Sequence, residues 1–222
     1  MVNIKLLFII IEEGYDKRIK NLLNKYGIKI KTVSNASGTA SQSVLSYFGL
    51  NETEKEVFLA VIPDYLSEEI LLKINDSFKL NKIGKGLAFT VKILSSNKFL
   101  SKSFSKEKRS DQRMLSQKKY HLVVTIVSEG YLEQVMKAAK KAGSSGGTAI
   151  KGRGLSESKR AKILGFDIEP ERDIVLNLVS EEDKTKVMEA ITKEVGIKTK
   201  ALGICMSLPV DEAIGLDVIE EK

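Results

Sequence analysis

The chain has one cysteine, one histidine, three prolines and no tryptophan in 222 residues. A single cysteine excludes an intrachain disulfide framework and suits a reducing compartment. A single histidine leaves little room for histidine catalysis, which needs an orienting partner; none lies near His121 in sequence, and the residue reads as structural or a surface group. No cluster of His, Cys and Asp has the spacing of a metal site. Cys205 reads as a small buried hydrophobe. No apolar run reaches the roughly 18–20 residues that cross a bilayer. The opening "LLFIII" stops at Glu12-Glu13 and lacks the flanks of a secretion signal. These absences lead us to expect a cytoplasmic protein that holds no metal and is not an enzyme.

Negative charge is scarce in one place only. Residues 97–119 carry eight Lys/Arg against two Asp/Glu, which is nearly all of the chain's net charge of +7. The excess is therefore local to one segment rich in Ser and Lys. The 42% hydrophobic content is that of an ordinary globular protein.

The segment separates two stretches that superpose as text. "KLLFIIIEEGYDKRIKNLLNKYG" ends at Gly27 and "YHLVVTIVSEGYLEQVMKAAKKAG" ends at Gly143. Gly14-Tyr15 matches Gly130-Tyr131 at an offset of 116, and "EKEVFLAVI" matches "ERDIVLNLV" at 117. Two copies of this length suggest tandem domains, not a solenoid. In each copy an Ile- and Val-rich run (Leu6–Ile11; Leu122–Val127) predicts a buried strand. A helix follows, with Tyr15, Ile19, Leu22, Leu23 and Tyr26, or Leu132, Val135, Met136 and Ala139, on one face. Gly27 and Gly143 stand where a helix ends. A second strand follows, clearest in the first copy from Ile28, while in the second copy "GGTAIKGRG" is expected to leave it for a loop; third strands cover Val57–Ile62 and Ile174–Val179. Second helices take Ser67 or Ser180 as N-cap. Last strands cover 86–94 and 203–211. The order β-α-β-β-α-β is the ferredoxin-like one. The fold class expected is α+β, two tandem domains at 1–95 and 120–222 joined by a basic linker at 96–119.

The copies differ between the second and third strands. "GSSGGTAIKGRG" (143–154) holds five of the sixteen glycines. It is not a Walker phosphate loop, because Gly152 is followed by Arg153-Gly154 and not by Lys-Ser/Thr. Seven residues, roughly "KGRGLSE", have no counterpart in the first copy. Before the last strand, "NKIGKGLAF" gives the first copy Lys82, Gly84, Lys85 and Gly86, a turn able to face phosphate oxygens. The second copy has "KTKALGICM" there, with Lys200 and Gly203.

"GGTAIKGRG", "IEPERDIVLNLV" and "KIGKGLAF" resemble the P-II nitrogen-regulatory proteins and their P-II-like relatives. The resemblance runs almost throughout 120–216 and more loosely through 3–94. It implies ferredoxin-like subunits in homotrimers, adenine nucleotides (ATP, ADP or AMP) in clefts between subunits, and a mobile T-loop that docks on a target. By resemblance residues 148–166 are a long T-loop, the first copy has a shortened one, and residues 80–87 match the phosphate-contacting B-loop. The implied ligand residues are Lys82, Gly84, Lys85, Gly86, Gly147, Thr148, Arg153, Lys200 and Gly203. The implied partner loop holds Lys151, Gly152, Arg153, Gly154, Lys159 and Arg160. The chain departs from the family in having no Tyr in 144–166 and no Arg in "VDEAIGLDVIEEK" after the last strand.

The function expected is a regulator that senses a small anionic ligand and controls a protein target, a transporter or an enzyme, through 148–166. One alternative is nucleic-acid binding through the basic linker, which the lack of an aromatic stacking motif disfavours. Another is an ACT-like amino-acid sensor with its ligand at a domain interface.

Overall fold

The computed structural model describes residues 3–38, 53–82, 84–96, 119–153, 161–163, 166–168 and 171–216. In chain order these form β1 (Ile4–Glu12), α1 (Asp16–Lys25), β2 (Lys31–Gly38), β3 (Thr53–Pro63), a 3-10 turn (Asp64–Leu66), α2 (Ser67–Phe78) and β4 (Gly86–Lys92). Then come β5 (Tyr120–Ser128), α3 (Leu132–Lys141), β6 (Thr148–Arg153), β7 (Ala161–Ile163), β8 (Phe166–Ile168), β9 (Glu171–Ser180), α4 (Lys184–Val195), β10 (Ile204–Pro209) and β11 (Glu212–Ile214). The βαββαβ order thus occurs twice, and the fold is α+β with two ferredoxin-like units.

The described parts of Met1–Asn35, Glu54–Tyr120 and Pro209–Lys222 make the first unit, and those of Ala36–Thr53 and His121–Leu208 the second. The first unit has the strand order β2-β3-β1-β4-β11. Strand β1 runs antiparallel to β3, from Ile4 opposite Pro63 to Glu12 opposite Lys55, and antiparallel to β4. Alternation puts Leu7, Ile9 and Ile11 on one face, where they pack with Phe58, Ala60, Ile62 and Ala88. Helix side chains Ile19, Leu23, Ile70, Leu71 and Ile74 close that core. Each such burial contributes about 1.5–3 kcal/mol. On the other face Phe8 stacks on Phe89 with ring centroids 4.7 Å apart.

The second unit has the order β10-β5-β9-β6. Its core repeats the pattern with Val123 and Val127 of β5, Val175 and Val179 of β9, and Val135, Ala139, Val187 and Ile191 of the helices. Ser37 and Gly38 pair here with Ala149 and Thr148.

Several details differ from the sequence expectations. Strand β2 begins at Lys31, three residues after Ile28. Ser67 is the first residue of α2, its N-cap being Leu66, and its hydroxyl is taken up by side chains from other elements. The N-cap of α4 is Asp183, whose N–H donates to Ser180 Oγ at 3.1 Å. Cys205 is half-buried. Lys151, Gly152 and Arg153 lie in a strand, because β6 stays paired to β9 as far as Arg153 opposite Glu171.

The C-terminal stretch groups with the first unit because β11 pairs with the edge of β4, Glu212 opposite Thr90 and Ile214 opposite Ala88. Its acids close around Lys5, a β1 residue only 1% exposed. The Lys5 ammonium lies 2.8 Å from Asp64 and 3.4 Å from Glu212, is ion-paired to Asp211, and donates to Ser67 Oγ at 2.9 Å. Burial alone would lower its pKa; the bonds to Asp211 and Asp64 and the charge of Glu212 outweigh burial and raise it.

Candidate functional site

In the first unit the ends of three strands meet. The β1–β3 register sets Glu12 opposite Lys55, and the β1–β4 register sets Ile11 opposite Gly86. The turn that leads from α2 into β4 therefore lies beside Glu12 and Lys55. That turn is held by the Lys82 N–H on Lys79 O at 3.0 Å and the Lys85 N–H on Lys82 O at 3.2 Å. Gly84 and Gly86 have φ of +77° and +125°. At Gly86 the missing Cβ lets the turn lie close on β1, since a Cβ there would sit 2.3 Å from Ile10 O.

Lys55 donates to Gly84 O at 3.1 Å, and Lys85 lies 3.3 Å from Glu12 Oε2. Burial pushes the Lys55 pKa down; the charge of Glu12 opposes this, and that of Lys85 adds to it. The charges of Lys55, Lys85 and Glu12 act on one another, Glu13 and Glu54, which follow Glu12 and precede Lys55 in the chain, share a hydrogen bond, and the exposed Lys82 is part of the same turn. Lys82, Gly84, Lys85 and Gly86 lie in one turn, and the structure sets Lys55 and Glu12 beside it. No local pattern singles out Lys55, which stands in "TEKEVF" as one charge among three.

In the second unit Gly152, Arg153, Arg172, Ile174, Leu202 and Ile204 line one cleft of about 390 Å³. Arg172 Nη1 donates to Ser128 Oγ at 3.0 Å. Apolar walls with two guanidinium groups suit an anion that carries an apolar body. Leu202 brings the loop of Lys200 and Gly203 to this cleft; Lys200 is exposed.

Other expected ligand residues are engaged by their own chain. Thr148 is buried and pairs with Leu176 in the ladder. A Cβ on Gly147 would sit 2.6 Å from Asn177 Nδ2, so this glycine serves close packing on β9. The Gly203 N–H bonds Val195 O at 2.9 Å, which ties it to the end of α4. Lys151 pairs with Asp173 at 2.8 Å and Glu129 at 3.4 Å. The Asp173 bond, ahead of an opposing desolvation, raises its pKa. Gly154, Lys159 and Arg160, like most of the basic linker, lie outside the described residues. His121 has the partner that sequence could not supply, with Nε2 2.9 Å from Glu181 Oε2.

Among the described residues no group of three or more His, Cys, Asp or Glu is placed to hold a metal, and no helix is long and apolar enough to cross a membrane. The family model for nitrogen regulatory protein P-II matches residues 4–98. That part of the chain is similar to the P-II family. The matched span contains the Lys55–Lys82–Gly86 cluster, whereas sequence reading places the closer resemblance to P-II in the second copy. No curated protein matches the chain. Among solved structures, a Bacillus cereus protein related to NIF3 is 17% identical, with 46% of this chain and 28% of that protein covered and a TM-score of 0.35. This chain therefore spans well under two thirds of that protein's length. The GlnK–ATP complex of B. subtilis is 16% identical over 45% of this chain and 91% of its own, at a TM-score of 0.33. The regulatory subunit of aspartate kinase from Thermus flavus is 10% identical over 88% and 95%, at 0.30.

Proposed function

We propose that the chain is a P-II-like regulator whose first unit binds a small anionic ligand, an adenine nucleotide, through Lys55, Lys82, Gly84, Lys85 and Gly86. One observation carries this reading. Lys55 is partly buried, its ammonium rests on the carbonyl of Gly84, and it feels the charge of Lys85, which is ion-paired to Glu12. A phosphate beside these two lysines would accept charge-assisted bonds, which are the stronger kind. The resemblance to P-II, which the matched span 4–98 supports, suggests an adenine nucleotide as ligand class.

Isothermal titration of the full chain with ATP, ADP and AMP tests this. Saturable binding is expected, weakened about tenfold or more in Lys55→Ala, in keeping with the loss of one hydrogen bond to a charged group. Binding that Lys55→Ala leaves unchanged would remove the site from the first unit.

The output of this regulator is a protein target, a transporter or enzyme, engaged by 148–166 through Lys151, Gly152, Arg153, Gly154, Lys159 and Arg160. The second unit's cleft beside Arg153 extends the same ligand chemistry. The assembly is a homotrimer. Ile197, Leu202, Ile204, Met206 and Leu208 of the second unit are all exposed, an apolar surface of the kind that marks an interface. Light scattering is expected to give three times the 24.6 kDa of one chain; a stable monomer at micromolar concentration contradicts the trimer.

A further inference from the structure

The second unit clamps a lysine between two acids. Lys151 of β6 lies 2.8 Å from Asp173, which is fully buried, and 3.4 Å from Glu129. At the offsets above, Glu129 corresponds to Glu13, Asp173 to Glu56 and Glu171 to Glu54. The first unit thus keeps the acids of the clamp. It does not keep the lysine: with Gly38-Thr39-Ala40 set against Gly147-Thr148-Ala149, Gln42 takes the place of Lys151 in sequence. Glu56 stands opposite Ile11 in the β1–β3 ladder and so shares the helix-side face with the core. Alternation brings Glu13 and Glu54 to the same face, two positions further along. Glu56 is only 8% exposed, and its Oε2 has no hydrogen-bond partner. Among the described residues no cation is ion-paired with Glu13, Glu54 or Glu56. The Glu13 pKa is raised, first by the hydrogen bond with Glu54 and then by the Glu54 charge, with smaller contributions from burial and from the charge of Glu56. Like charges crowd one another here.

We propose that Glu13, Glu54 and Glu56 form a binding site for a primary alkylammonium group, which takes the place that Lys151 fills in the second unit. Glu56 Oε2 and the Glu13 carboxylate accept from it, as Asp173 and Glu129 pair with Lys151, and Glu54 adds its negative charge. An ammonium brings three N–H donors and no acceptor, which is what a group of acceptor-only carboxylates lacks. Its bonds to carboxylates are charge-assisted. A buried carboxylate oxygen without a partner is costly, so Glu56 is the group that gains most from the ligand. A metal ion fits less well: among the described residues no three acids are grouped to hold one. Two carboxylates suffice for an ammonium, as Lys151 shows. The ammonium belongs either to a free amine or to a lysine side chain of a polypeptide. Alternation puts Lys55, which rests on Gly84, on the opposite face of β3 from Glu54 and Glu56. The inference is therefore independent of nucleotide binding.

Carboxyl carbon NMR of the full chain, labelled at its glutamates, reads these acids directly. The probes are n-butylamine, which is the lysine side chain alone, cadaverine as a free diamine, and a peptide of residues 148–154, TAIKGRG, as a lysine within a polypeptide. Saturable shifts of the Glu13, Glu54 and Glu56 carboxyls are expected with n-butylamine. Tetramethylammonium, which has the charge but no N–H, is expected to give none. Cadaverine binding more tightly than the peptide assigns the site to a free amine, and the reverse order assigns it to a lysine of a polypeptide. Glu56→Gln is expected to weaken n-butylamine about tenfold or more, in keeping with the loss of one bond to a charged group. Glu13→Gln, at an exposed position where folding is not at risk, is expected to weaken it too. Lys151→Ala is expected to empty the second unit's clamp, so that n-butylamine then also shifts Glu129. Four results overturn the proposal: no saturable shift with n-butylamine, an equal response to tetramethylammonium, an affinity that Glu56→Gln and Glu13→Gln both leave unchanged, or no response of Glu129 in Lys151→Ala.

Discussion

Replacing Lys5 by methionine is expected to destabilise the chain by roughly 3 kcal/mol. Removing one partner of a buried ion pair usually costs about 3–5 kcal/mol. The lower end applies because Asp64, Asp211 and Glu212 keep 21%, 22% and 12% exposure and so retain some water. Methionine matches the length of the lysine stem, so packing is kept and the loss is electrostatic. Three acids then share one corner, with Lys92 alone left on Asp211 at 2.9 Å. β11 is held by a three-residue ladder plus this cluster, and its amides should exchange first. Urea unfolding gives the magnitude. Adding Asp211→Asn and Glu212→Gln to Lys5→Met should recover part of the loss, since neutralising a whole buried cluster costs less than breaking it. The pH dependence has a definite sign. Burial would raise the Asp211 pKa, but the bonds to Lys5 and Lys92 lower it on balance. An acid whose folded pKa is depressed stabilises above its unfolded value, about 3.9, and loses that contribution as pH falls through the folded value. Acid unfolding below about pH 4 should therefore lose steepness in Asp211→Asn. A Lys5→Met variant as stable as wild type would mean that the cluster does not hold β11.

Gly86→Ala is expected to cost about 3–4 kcal/mol and to abolish nucleotide binding. The new Cβ would lie 2.3 Å from Ile10 O and 3.0 Å from Ile11 Cα, both backbone atoms of the adjoining strand. Neither can rotate away, so the β1–β4 ladder must part where Ile11 faces Gly86. A φ of +125° adds a backbone penalty of about 1–2 kcal/mol for an L-residue. The remainder is the strain of overpacking, about 1–3 kcal/mol. Because Gly86 ends the turn that carries Gly84 and Lys85, the same shift pulls the carbonyl of Gly84 from Lys55. Chemical denaturation and titration calorimetry on one sample separate the two effects. An alanine variant with native stability and native affinity would show that the turn is not so confined.

The elements were legible wherever the signal was local. Leu6–Ile11 form an unbroken apolar run, Ile70, Leu71 and Ile74 recur at helical spacing, and Gly27 and Gly143 stop their helices; each tells its neighbours' story within a few residues. The turn at 82–86 was legible too, because two glycines around a lysine constrain the backbone by themselves. What depends on long-range pairing was not. "DEAI" carries no mark of the edge it joins, and Lys5 gives no hint that its counter-ions lie at Asp211 and Glu212, more than two hundred positions away. Lys55 matters because antiparallel register sets it opposite Glu12, and register between strands so far apart is invisible in either strand alone. "AIKGRG" reads as a loop by its glycines, yet β9 supplies a ladder that keeps it extended to Arg153. Resemblance to P-II was read more strongly in the second copy, from its glycine-rich text, while the matched span lies in the first.

The measurement that bears most directly on the function is hydrogen exchange of the full chain with and without saturating ATP. New protection is expected at 53–56 and 82–87, the segments that carry Lys55 and the Lys82–Gly86 turn. ATP that binds while leaving both segments unchanged, or does not bind at all, contradicts the nucleotide site.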